Sequence, residues 1–254
     1  MKLNRLGLIL AAGTAVAAFA ACNDALAPIL DSDIAADLAS SAGDAIASDV
    51  NEAILNEAFG GFSAPSAVAA SPASDSVTNT FSATRTKVCY NVSGNVVTCG
   101  PGTTSMKITL VLDGSRTGPN FSGAVHRART DSISGLGQGS TSRVHNARGT
   151  SNDSTSFTRD STTRAFAEAS ADTVVNLTFN LPRSSNPWPV SGQIIRNVNA
   201  TVTFTGKITG TRSISRRVVV TFPADNQGNV SIQVGTMTCQ LNLVTHKVTG
   251  CTGS

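Results

Sequence analysis

The chain has 254 residues and a formal net charge of +3, with 14% charged and 5% aromatic residues, including a single Tyr and a single Trp. So few aromatics argue against a membrane-spanning barrel, which needs aromatic girdles, and against a large aromatic-rich catalytic core. Abundant Ser, Thr, Gly, Ala and Asn suit an exported β protein with short turns.

The chain opens with Lys2 and Arg5, then an apolar run from Leu6 through Ala18, then Phe19-Ala20-Ala21-Cys22. The apolar run is shorter than the ~20 residues of a bilayer crossing. A basic start, a short apolar stretch and a small-residue exit are the features of a cleaved signal peptide, residues 1–21. With Cys22 directly after Ala20-Ala21, the segment resembles the lipobox of bacterial lipoproteins, with Phe19 standing where that family usually has an aliphatic residue. The resemblance covers residues 1–22 only. It implies that Cys22 becomes the first residue, acylated on its thiol and its amine, and that the membrane is a partner through this anchor. Asn23, rather than Asp, follows the cysteine, so the resemblance points to the outer membrane. Lipid chains contribute about 0.8 kcal/mol per buried methylene, and two or more hold a protein firmly.

Residues 22–59 form an acidic segment. Ile34, Leu38, Ala42, Ile46, Val50 and Ile54 recur every four residues, and Leu30, Leu55 and Phe59 extend the stripe, which predicts one or two short amphipathic helices. Asp31 or Ser32 is placed to cap the start. Gly43 is expected to divide the run and Gly60-Gly61 to end it. From Asn23 to Thr84 there are nine acids and no Lys or Arg, whereas from Arg85 onward seventeen basic residues face seven acids. The two parts nearly neutralise each other, so the acidic segment is expected to lie against the basic one. Residues 60–77, rich in Ala, Ser and Pro, read as a linker.

Residues 78–254 read as an antiparallel β domain: a meander, sandwich or open barrel of about nine to eleven strands. The clearest alternation is Met106–Leu112, ended by a turn at Asp113-Gly114. Others are Val175–Phe179, Ala200–Thr205, Arg217–Phe222 and Val230–Val234, with a turn at Asn226–Asn229 before the last. Apart from Cys22, four cysteines remain, and an even count in an exported chain implies disulfides. Cys89 and Cys99 flank the turn residues Ser93-Gly94-Asn95, and Cys239 and Cys251 flank a segment centred on Thr245. Each segment folds back at its midpoint, so the expected links are 89–99 and 239–251.

The stretch from Asn120 to Ala171 is strand-like yet strongly polar. Val125-His126-Arg127-Ala128-Arg129 loosely repeats as Val144-His145-Asn146-Ala147-Arg148. A hairpin folded about Gly137 would oppose Arg129 to His145 and Asp131 to Arg143. One face then carries Arg127, Arg129, Asp131, Arg143 and His145. That face is the candidate polar contact surface for an anion or polysaccharide, against a plainer reading as a solvated face with cross-strand ion pairs.

Established catalytic spacings are missing. There is no Gly-x-Ser-x-Gly elbow, phosphate loop, Rossmann glycine pattern or His-Glu-x-x-His motif. No cysteine or histidine set has the spacing of a metal site, so no metal or cofactor is expected. Trp188, between Pro187 and Pro189, reads as a plug at the end of a β core, with an exposed carbohydrate platform as the rival reading. An exported chain makes nucleic acid an unsuitable partner, despite the basic strands. The expectation is a non-enzymatic, lipid-anchored envelope protein that binds or supports, with an envelope polysaccharide or another envelope protein as partner. Its rivals are a carrier of an apolar ligand or lipid in a curved-sheet cavity, and an enzyme acting on polysaccharide or peptidoglycan.

Overall fold

The computed structural model describes residues 38, 39, 42, 43, 45–47, 49, 50, 53, 78–159, 161–182, 186–207 and 209–253. The signal peptide, Cys22, the capping residues and the linker lie outside them. The protein is mainly β. Among the described residues, eleven antiparallel strands form one open sheet: β1 (Thr78–Tyr90), β2 (Val96–Val97), β3 (Ser105–Gly118), β4 (Phe121–Ser134), β5 (Ser142–Arg159), β6 (Thr162–Asn180), β7 (Ser191–Gly206), β8 (Gly210–Thr221), β9 (Asn229–Val234), β10 (Met237–Asn242) and β11 (Val248–Thr252). From β3 to β11 every strand pairs with its chain neighbour, while β1 sits between β3 and the short edge strand β2.

Alternation sets the two faces. In β7, Ile194, Arg196, Val198, Ala200, Val202 and Phe204 point to the inner face and are buried. Cross-strand partners carry that phase outward: Ile194 pairs with Val174 and Val220, and Val220 with Ile232. Described residues between 38 and 53 are helical. Leu38, Ala42, Ile46, Val50 and Ala53 pack in one core with Val174, Leu177, Phe179, Val198, Val218, Ile232 and Leu241. Trp188 packs at the margin of this core and over Gly228 in the turn before β9, as a plug would. At the opposite end of the strands, the inner face carries a smaller cluster of Val202 and Phe204 with Phe166 and Ile214.

Three expectations need correction. Gly43 does not divide the helix; it is itself helical. A Cβ there would overlap the Val248 side chain, so the glycine lets the helix approach the sheet. Asp113-Gly114 is not a turn, because β3 runs on to Gly118, paired with β1 on one side and β4 on the other. Gly114 opposes Phe81, whose ring occupies the space a side chain would need. The β4–β5 hairpin does not fold about Gly137. Arg129 opposes Gly149, Asp131 opposes Ala147, and Ile133 opposes His145. The turn centres near Gly139, whose φ of 76° suits a glycine. The slip is an even number of residues, so every side chain keeps its face.

Both expected disulfides form, Cys89–Cys99 and Cys239–Cys251. Cys89 opposes Val97 in the ladder, so Cys99 reaches it from just beyond β2 rather than from a directly opposed site. The two links sit at the two edges of the sheet, β1–β2 and β10–β11. Each joins cysteines only 10 or 12 residues apart. Replacing Cys251 by Ser should lower the unfolding free energy by about 2–4 kcal/mol in urea, from lost loop closure. A non-reducing peptide map of the unaltered protein should recover both links.

Candidate functional site

Charged residues and serines interrupt the inner face between its largest apolar cluster and the smaller ones around Val202 and Ile133. Arg127, Arg129 and Asp131 alternate along β4, Ser151 and Asp153 lie on β5, Glu168, Ser170 and Asp172 on β6, and Arg196 on β7. Register aligns Arg129, Gly149, Asp172 and Arg196 in one row across four strands. Gly149 has no side chain, and a Cβ there would come within 3.3 Å of the Arg129 Cβ.

Arg129 is the hub, with its side chain 3% exposed. Its Nε donates to Asp131 Oδ1 and Oδ2 at 3.0 and 3.1 Å, and Nη2 donates to Oδ1 at 2.8 Å. Its Nη1 donates to Asp49 Oδ1, carried by the helix. Arg127 Nη1 lies 3.8 Å from the same oxygen. A second centre forms around Arg196. Its Nη2 donates to Ser151 Oγ at 3.0 Å, and Nε lies 3.3 Å from Asp172 Oδ1. Glu168 Oε1 is 3.7 Å from Nη2. Ser151 and Ser170 share a 2.8 Å hydrogen bond that continues the network. Burial pushes the Asp172 carboxyl up to about 6; Arg196 opposes the shift and Asp49 adds to it.

The five residues of the candidate polar face therefore do share a face, but it is not an open surface. Arg129, Asp131 and His145 are buried, and Arg127 is 17% exposed at its side chain. Arg143 is half-buried near the turn end, opposite Phe179. His145 stacks edge-on against Phe179, with centroids 5.4 Å apart. The structure adds Asp49, Ser151, Ser170, Asp172 and Arg196. Two of these carried a signal in the sequence: Arg196 stands at an apolar phase between Ile194 and Val198, and Asp49 lies beside Val50 on the helix stripe.

The opposite, outer face carries the open site. A trough of about 930 Å³ crosses β1 and β3–β7. Its outward-facing lining includes Ser82, Asp113, His126, Asn152, Ser154, Asn199 and Thr201, and Ala124, Ala167 and Ala169 keep the floor low. His126 Nδ1 donates to Asp113 Oδ1 at 2.6 Å, both side chains about half exposed. Asn199 Oδ1 accepts from Ser215 Oγ at 2.7 Å, which leaves its amide nitrogen as a donor. No sequence signal marks this site, because Ser, Ala, Asn and Thr at outward positions look like any solvated strand.

Among the described residues no group of three potential ligands is arranged to hold a metal, and no helix is long and apolar enough to cross a membrane. The two disulfides are compatible with an exported protein. No family model, curated protein or solved structure matches the chain.

Two outcomes test the inner network. Asp49→Ala should cost about 3–5 kcal/mol, because Arg129 loses a partner while still buried, and should expose the 38–53 helix to proteolysis. Asp172 has a folded value above its ordinary 3.8, so its protonation stabilises the native state at low pH. That contribution is complete below about 3.8 and fades as pH rises through about 6. Asp172→Asn should therefore gain stability relative to the unaltered protein between those pH values, as read by urea unfolding at a series of pH.

Proposed function

We propose that the protein is an exported envelope protein, tethered through Cys22, that binds an uncharged glycan on the outer face of its sheet. The trough supports this reading. Asn152, Asn199, Thr201, Ser82 and Ser154 offer amide and hydroxyl groups suited to sugar hydroxyls. Asp113 is engaged with His126, and the lining holds no Lys or Arg, so the site offers nothing to attract an anionic polymer. The inner face supports an apolar carrier less well, because among the described residues the helix packs into the apolar core there.

The His126–Asp113 pair favours one alternative, hydrolysis of the bound glycan. An acid that orients a histidine leaves the other ring nitrogen to take a proton from the water whose oxygen bonds the anomeric carbon, and to hand that proton to the sugar oxygen released as the glycosidic bond breaks. Loss of activity in His126→Gln with binding retained would support it.

The binding reading is tested with the full chain carrying Cys22→Ser, which should fractionate with soluble proteins. Titration calorimetry with dextran and with N-acetylglucosamine oligosaccharides, and polyglutamate as anionic control, should show binding to a neutral glycan only. Asn152→Leu should weaken it about tenfold, the effect of one lost hydrogen bond. Equal binding by the Asn152→Leu chain, or none by either, would remove the trough from consideration.

A further inference from the structure

The sheet does not close, and its two edges differ. Along β1, β2 covers only Cys89 and Tyr90. Among the described residues, 78–86 have a ladder neighbour on the β3 side alone. Side chains from 80 to 88 are exposed, with Phe81 39% exposed. On the other side of the sheet, β9 covers only Val218–Val220 of β8, and 210–216 have a ladder neighbour on the β7 side alone. An uncovered strand of this length is a template for another strand.

Charge separates the two. Pairing β8 antiparallel to a second β8 about Ile214 would set Arg212 opposite Arg216 of the other copy, and like charges directly opposed are destabilising. Pairing β1 with β8 of another copy would bring Arg85 and Lys87 toward Arg212, Arg216 and Arg217. Pairing β1 antiparallel to a second β1 about Ala83 has no such conflict. Phe81 meets Arg85 of the other copy on the inner face, a cation–π arrangement. Ser82 meets Thr84, and Thr80 meets Thr86, on the outer face.

We propose that β1 is a self-association edge, where a second copy of this chain adds antiparallel about Ala83 to give a two-fold dimer with one continuous sheet. A two-fold contact is self-complementary and closes, so it does not propagate into a fibre. The 89–99 disulfide fixes β2 beside the last two residues of β1, which among the described residues leaves the stretch before them uncovered. This inference does not rest on the glycan reading, although Thr80 and Ser82 belong both to this edge and to the trough.

The test uses the full chain with Cys22→Ser, so that an added cysteine is its only free thiol. Sedimentation at tens of micromolar should give a dimer mass. Ala83→Cys should link two copies by a disulfide under mild oxidation, since opposed residues lie within disulfide reach. Ile214→Cys, at the residue that would oppose itself if β8 paired with a second β8, should not. Ala83→Asp sets two carboxylates face to face and should raise the dissociation constant at least ~10-fold. Ala83 is exposed, so the circular dichroism spectrum should not change. A monomer at every concentration would overturn the proposal, as would a dimer indifferent to Ala83→Asp or one linked through Ile214→Cys instead.

Discussion

A helix-borne carboxylate and a strand-borne guanidinium, both withdrawn from water, tie the acidic part of the chain to the basic part. The Asp49–Arg129 contact is the centre of that tie. An isolated charge at such depth would cost several kcal/mol. Arg129 escapes this because Asp131, two residues along its own strand, holds the other side of the guanidinium. The apolar contacts of Ile46 and Val50 drive the helix onto the sheet, but Ala39, Ala42, Ala47 and Ala53 share that buried face and bury little area. Much of what fixes the helix in one register must then come from the ion cluster, where a misplaced turn would leave Arg129 without Asp49.

The inner cluster has more acids than arginines. Arg127, Arg129 and Arg196 face Asp49, Asp131, Glu168 and Asp172, with Asp153 adjoining on β5. Burial is the main reason Asp172 holds its proton to a higher pH than usual, against the pull of Arg196, Arg127 and Arg129. Asp49 adds to that shift, so docking the helix favours the protonated form of Asp172. By linkage, protonating Asp172 favours docking to the same extent. The helix and the β6–β7 strands are thus coupled electrostatically as well as through the core.

Much of the architecture was legible in the chain. Alternation from Met106, Ala200 and Val230 gave the strands, the short cysteine spacings gave the links, and the charge split anticipated the meeting of Asp49 with Arg127 and Arg129. Strand length was not legible. Asp113-Gly114 looks like a turn until Phe81 is known to lie across Gly114, a contact between separate strands. The Arg127–His145 group kept its face because its register slipped by an even number of residues, yet its burial could not be read locally. Whether a polar strand face is wet or dry depends on a helix from far upstream. The outer trough arises only when six strands curve together, which no local pattern reports.

The order of the strands has a consequence for how the molecule is made. Neighbours in the sheet are nearly always neighbours in the chain, so successive hairpins can zip together with little loop entropy to overcome. The helix is the exception. It is synthesised first, yet Val218, Val220, Ile232 and Leu241, on which it rests, are synthesised last. Until they arrive, Leu38, Ile46 and Val50 are an orphaned greasy stripe on an emerging polypeptide. Such a segment would benefit from an escort that shields it during transit and lets go once the final hairpins are in place.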